Sequence, residues 1–119
     1  MKLILLSTDL MISSFVAGVA RQHELEVVTV GNQSAAMTAA HDDEARVMVA
    51  DLRCPGLDIG ELVTSSRKEA SSSVRIVAFG PHVHETNLNA ARESGCDAVA
   101  TRGQFDREAG AIIGQLLEA

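Results

Sequence analysis

Asp51 stands where chemistry is easiest to place in this chain. It closes the apolar run Val47-Met48-Val49-Ala50, and Leu52-Arg53-Cys54-Pro55-Gly56-Leu57-Asp58 follows at once. An apolar run with β-branched residues, stopped by turn residues, reads as a strand buried on both faces. Such strands belong to parallel sheets covered by helices, and ligands gather beyond the carboxyl ends of their strands. A lone carboxylate at such an end is a candidate functional group. The competing reading is a carboxylate that ends the strand and binds nearby amides.

Two further groups carry possible chemistry. His82-Val83-His84-Glu85 falls on the same edge as Asp51 and offers nitrogen and oxygen ligands for Zn²⁺ or another transition metal. Read plainly, these are solvated loop and helix-cap residues. Cys54 is the closest approach to a nucleophile, but no His stands beside it, which fits an idle thiol. Cys54 and Cys96 form no metal or redox motif. Ser71-Ser72-Ser73 is not a nucleophile elbow, and no Walker-type phosphate loop occurs. His23 and His41 join no cluster, and Asp42-Asp43-Glu44 reads as a solvated helix end.

Elements that would position these groups follow from the pattern. With 119 residues the chain fits one domain, 1–119. Hydrophobic residues make up 46% and aromatics only 3%, so the core must be aliphatic. Strands are expected at Lys2–Leu6, Leu25–Val30, Arg46–Asp51, Val74–Phe79 and Ala98–Thr101. Helices are expected at Leu10–Gln22, Gln33–Asp42, Ile59–Glu69, Glu85–Ser94 and Asp106–Leu117, with a short loop at Ala70–Ser73. Met11, Phe15, Val16 and Val19 would form the core stripe of the first helix. Ala109, Ile112, Ile113 and Leu116 would form that of the last. Strict alternation with short connections implies right-handed βαβ units. The expected fold is therefore α/β and flavodoxin-like: a three-layer sandwich with a five-stranded parallel sheet, order 2-1-3-4-5, and five helices on both faces. In it Cys54 follows a strand and Cys96 precedes one, so the two thiols lie at opposite ends and cannot be bridged.

Composition also excludes functions. Net charge is −6, the ten basic residues are dispersed, and Trp and Tyr are absent, which disfavours direct nucleic-acid binding. Leu3–Leu6 is far too short for a membrane span or a signal core. A cytoplasmic protein without a fused effector domain is expected.

The organisation resembles the receiver domain of two-component response regulators, over the whole chain. Asp51-Leu52-Arg53-Cys54-Pro55-Gly56-Leu57-Asp58-Ile59-Gly60 matches the receiver's phospho-accepting Asp, its Pro-Gly turn and the Asp shortly after. Ala91-Arg92-Glu93-Ser94-Gly95-Cys96-Asp97 is similar to the end of the fourth helix and its Gly turn into the fifth strand. The resemblance implies that Asp51 is the phospho-acceptor position. It also shows departures. The acidic pair that holds a divalent cation is replaced by Ser7 and Thr8, with Asp9 one residue late. The Thr/Ser switch position is Gly80, the Lys position is Arg102 followed by Gly103, and the aromatic switch position is Val99.

Phosphoryl transfer depends on positioning and on neutralising charge, and Mg²⁺ is commonly held by one or two carboxylates. The resemblance therefore implies a degenerate receiver, not an enzyme, that acts as a phosphorylation-independent protein-interaction module in a two-component or phosphorelay pathway. It would hold no cofactor; Mg²⁺, on Asp51 with Asp9, enters only if Asp51 is phosphorylated. With no phosphate, Arg102 or Arg53 would pair with Asp51 as a static salt bridge. A protein partner, a histidine kinase among the candidates, or a second copy would dock on the face of the fourth helix, fifth strand and fifth helix, which includes Asn87, Asn89, Ala90 and Arg107. Two alternatives stand beside this reading. One is an active receiver phosphorylated on Asp51 by a histidine kinase, with Arg102 in place of Lys. The other is a small-ligand module at the same edge.

Overall fold

β1 (Lys2–Leu6), β2 (Glu26–Val30), β3 (Ala45–Asp51), β4 (Arg75–Gly80) and β5 (Ala98–Thr101) form one parallel sheet in the order β2-β1-β3-β4-β5. The structure is a computed structural model that describes residues 1–68 and 74–118. The loop expected at Ala70–Ser73, and Glu69 at the expected end of the third helix, lie outside the described residues. The helices are α1 (Leu10–Gln22), α2 (Gln33–Ala39), α3 (Ile59–Ser66), α4 (Glu85–Glu93) and α5 (Arg102–Glu118).

Side chains of a strand alternate between faces, and here both faces are covered. Leu3, Leu5, Val47, Val49, Val77 and Phe79 pack under α1 and α5. Ile4, Leu6, Met48, Ala50, Ile76 and Ala78 pack under α2, α3 and α4. β1, β3 and β4 are the inner strands, so their apolar runs are continuous and almost wholly buried. The edge strand β2 is only half-buried and carries the polar Glu26 and Thr29. This is the expected α/β sandwich, with the strand order as read.

Besides α2, which ends at Ala39, three residues before the expected Asp42, two helices depart from expectation. In α1 the buried stripe is Ile12, Val16, Val19 and Ala20, and Met11 is 77% exposed. Asp9 sets the phase: its carboxylate accepts the Met11 and Ile12 amides, so the helix starts at Leu10 with Ile12 turned to the sheet. Met11 lies one step round the helix from the core, whereas Phe15 is half-buried and packs against it, as the spacing implies.

The second departure is α5, which starts at Arg102, four residues before the expected Asp106. Thr101 and Gln104 form a reciprocal capping box: the Gln104 amide donates to Thr101 Oγ1 at 3.2 Å, and the Thr101 amide donates to Gln104 Oε1 at 2.9 Å. The last residue of β5 is therefore also the helix cap, and no loop separates the two elements. Phe105 in the first turn is fully buried, stacked on Phe79 at 4.5 Å and edge-on to Phe15 at 5.9 Å. All three phenylalanines of the chain thus fasten the start of α5 to β4 and α1. Further along, His23, the C-cap of α1, meets the Gly110 carbonyl through Nε2 at 3.0 Å, with its ring against Gly114.

Candidate functional site

Strands β1, β3 and β4 bring Ser7, Asp51 and Gly80 together at the carboxyl edge of the sheet. Asp51 is the last residue of β3 and is 6% exposed; Ser7 directly follows β1 and is 3% exposed. The Ser7 hydroxyl donates to Asp51 Oδ2 at 2.8 Å. The Arg53 amide donates to Asp51 Oδ1 at 2.9 Å, closing an Asx turn. Ser7 Oγ in turn accepts the Asp9 amide at 3.1 Å. A buried carboxylate needs such donors, because an unpaired one carries a large desolvation penalty. Asp51 is therefore satisfied on both oxygens by its own chain.

Asp9 borders the same cleft, but its Oδ1 accepts the Met11 and Ile12 amides and caps α1. Asp58 plays the same part for α3, accepting the Glu61 amide at 3.1 Å. The expected ion pair to Asp51 is not formed. Among the described residues no Lys or Arg pairs with it, and Arg102 Nε instead donates to Asp106 Oδ1 at 3.1 Å. The reason is the early start of α5, which places Arg102 one helical turn before Asp106, at the i, i+4 spacing that favours such a pair.

Gly80 ends β4 and is buried. A Cβ at this position would lie 3.3 Å from Leu52 Cβ and 3.4 Å from Leu52 Cδ1. Leu52 itself is held by its amide, which donates to the Phe79 carbonyl at 2.9 Å. The space a side chain at position 80 would enter is thus filled by the residue after Asp51. Val99 is half-buried against the α2–α4 side of the core.

Thr8, Asp9, Asp51, Arg53 and Arg102 line a cleft of about 200 Å³. Cys54, three residues past Asp51, is buried with its Sγ near the Gly31 carbonyl at 3.5 Å. Burial, and secondarily the Asp51 charge, push its thiol above the ordinary value, away from a nucleophilic thiolate. Cys96 lies at the opposite edge, and burial pushes it to about 11; both cysteines are free. His82 and His84 are exposed on the loop before α4. Among the described residues no group of three His, Cys, Asp or Glu comes together in a way that could hold a metal ion. The donors around Asp51 do not fit Mg²⁺ either. A cation there would meet Asp51, already bonded on both oxygens, and Asp9, whose Oδ1 caps α1, with the neutral hydroxyls of Ser7 and Thr8 in place of an acidic pair.

Sequence reading placed Asp51, Ser7, Asp9, Gly80 and Arg102 at one edge, and the structure brings them there. It missed Leu52 as the residue filling the Gly80 space and Thr101–Gln104 as the cap that sets Arg102. The Thr-x-x-Gln spacing was the available signal for the second.

With this geometry in hand, the comparison with solved structures decides the fold. The receiver domain of a sensor histidine kinase from Pseudomonas aeruginosa, with a magnesium ion coordinated in its active-site cleft, superposes with a TM-score of 0.80 at 16% identity, covering 99% of this chain and 98% of that one. The fold is that of a receiver domain. A response-regulator receiver domain from Bermanella marisrubri gives 0.82 at 19% identity, covering 98% and 97%, and the receiver domain of NtrX from Brucella abortus gives 0.81 at 18%, covering 99% of both chains. No family model matches the sequence, and no curated protein does. The receiver fold therefore rests on backbone shape across nearly the whole chain, at identities that leave the chemistry of the cleft to be read from its own residues. Among the described residues no helix is long and apolar enough to cross a membrane.

Proposed function

We propose that this chain is a degenerate receiver domain of a two-component or phosphorelay-type pathway, working as a phosphorylation-independent protein-interaction module in the cytoplasm and not as an enzyme. One observation carries the reading: the carboxylate at the acceptor position spends both oxygens on Ser7 and Arg53 of its own chain. The rest of the cleft supports it. Arg102 is engaged by Asp106, and Leu52 fills the space beside Gly80. A receiver that switches needs a cation beside its carboxylate and a hydroxyl that closes on the phosphoryl group. Here the first meets Ser7 and Thr8, and the second has no side chain to supply it.

The surface offered to a protein partner, or to a second copy, is the face of α4, β5 and the start of α5. It holds a groove of about 340 Å³ bordered by His82, Glu85, Leu88, Asn89, Arg92 and Thr101. The capping box and the aromatic contacts of Phe105 fix this face in one arrangement.

The test is intact-protein mass after incubation with acetyl phosphate and Mg²⁺, with Asp51→Asn in parallel and an ordinary receiver as positive control. No added phosphoryl group is expected. A gain of one phosphoryl mass, absent in Asp51→Asn, would replace this reading with that of an active receiver phosphorylated on Asp51.

A further inference from the structure

We infer that the open edge of β2 pairs antiparallel with β2 of a second copy, so that two five-stranded sheets become one. β2 borders only β1. The Glu26 amide donates to the Met1 carbonyl, and the Ser7 amide donates to the Val30 carbonyl. Successive residues of a strand turn their backbone groups to opposite sides, so Glu26, Val28 and Val30 are spent on β1. The N–H and C=O groups of Val27 and Thr29 point away from it and have no partner among the described residues. Exposed edges are ordinarily blunted by Lys, Pro, a bulge or an overlying segment. β2 reads Glu-Val-Val-Thr-Val, keeps a regular register with β1, and carries neither Lys nor Pro. Its four consecutive β-branched residues suit a further ladder.

The occupant is a second copy because this edge is complementary to itself. An antiparallel pair centred on Val28 sets Val27 of each chain opposite Thr29 of the other. Residues so placed exchange both backbone bonds, so every open group of Val27 and Thr29 is used on both chains. Glu26 then faces Val30, and no like charges meet along the ladder. The flanking helices agree in charge. The two copies of α1 run antiparallel, which brings Arg21 in the last turn of one alongside Asp9 and Leu10 at the start of the other. At about 3.6 residues per turn, Leu10 and Phe15 fall on opposite flanks of α1. Phe15 meets Phe105 of α5, so Leu10, which is 83% exposed, lies on the flank toward the β2 edge, where the second copy covers it. On the other face of the sheet α2 carries no charged residue. Because β2 and β5 are opposite edges, such a dimer leaves both α4–β5–α5 faces free at its two ends.

No residue of β2 lines the Asp51 cleft, so this pairing stands whether or not acetyl phosphate labels Asp51. The experiment is sedimentation equilibrium of the full chain, joined to amide hydrogen exchange by NMR at low and high protein concentration. A monomer–dimer equilibrium is expected, with the Val27 and Thr29 amides protected only at high concentration. Thr29→Pro removes an outward N–H that serves no bond within the chain. It should raise the dissociation constant about thirtyfold, because two backbone bonds are lost per dimer. Thr29→Lys keeps the amide, puts a charge on an exposed edge position and should also weaken the dimer; it decides the matter if the proline variant does not fold. Arg92→Glu, at the α4 groove, should leave the dimer unchanged. A dispersed spectrum confirms that each variant is folded. A chain that stays monomeric up to about 1 mM, a dimer that a folded Thr29→Lys leaves at full affinity, or one that Arg92→Glu abolishes would each overturn the proposal.

Discussion

At the amino edge of the sheet Asp97 gathers two arginines and an amide; at the carboxyl edge Asp51 gathers one hydroxyl and one amide. Asp97 pairs with Arg67 and Arg75 and accepts the Ile76 amide at 2.7 Å. Lys2 reaches Asp42 at 2.8 Å on the same edge. Five of the six ion pairs among the described residues lie there, joining segments distant in sequence. The sixth, Arg102–Asp106, stays within one helix turn. The carboxyl edge is instead held by apolar fill and by hydrogen bonds from uncharged donors: Leu52 against Gly80, Phe105 on Phe79, Ser7 on Asp51. The edge where a receiver concentrates its charges here has, among the described residues, no ion pair between separate elements. Charge ties the amino edge across the fold, and packing holds the carboxyl edge, with Leu52 filling the space beside Gly80.

The largest test of this contrast is Phe105→Ala. Truncating a fully buried Phe should cost about 3–5 kcal/mol in urea unfolding, and the loss should be insensitive to salt. A cost under about 1 kcal/mol would mean that packing does not hold the carboxyl edge. Asp97→Ala should come next. It strands the Ile76 amide and removes the carboxylate that Arg67 and Arg75 share, a loss of about 2 kcal/mol. Part of that difference should fade at high salt, because ion pairs are screened; an unchanged difference would assign it to the amide bond alone.

Gly80→Ser should destabilise by about 1 kcal/mol through contact with Leu52. The double variant Leu52→Ala, Gly80→Ser should lose less than the two single costs combined, since the changes share one space. Strict additivity would show that Leu52 is not what excludes a side chain there.

The smallest effect is a pH dependence at the amino edge. Lys2, through its hydrogen bond to Asp42, holds that carboxyl below its ordinary 3.8, and the same bond holds the Lys2 ammonium above its ordinary 10.5. A lowered folded-state acid adds stability above 3.8 and loses it as pH falls through the folded value. A raised amine adds stability below 10.5 and loses it as pH rises through its folded value. The stability difference between wild type and Lys2→Ala should therefore be flat from about pH 4 to pH 10 and shrink outside that window. Because the pair lies at the surface, where solvent screens it, the difference should be small. A difference that grows in acid would contradict the pairing.

Much of this was legible in the chain. The run Val47–Ala50 with Asp51 at its end placed the central strand and the cleft, because periodicity and turn residues are local signals. The phase of α1 was not legible from apolar spacing: Met11 and Ile12 are both apolar, and only the Asp9 cap decides which one faces the sheet. The start of α5 was hidden by Gly103, a poor helix former, and its true signal was the spacing of Thr101 and Gln104. The Ser7–Asp51 bond spans 44 residues, and Leu52 meets Gly80 only across two neighbouring strands. Such pairings exist only once the sheet is assembled.

The junction of β5 and α5 has a mechanical consequence. Thr101 belongs to the strand and to the cap at once, so there is no slack between sheet and helix. α5 has 17 residues, about 26 Å at 1.5 Å per residue, in a molecule 35 Å along its longest axis. It works as a rod clamped at one end, by its cap and Phe105, and steadied midway by His23 on Gly110. A push delivered at Arg102 has no hinge in which to dissipate. It must be carried along the rod or be refused at the clamp.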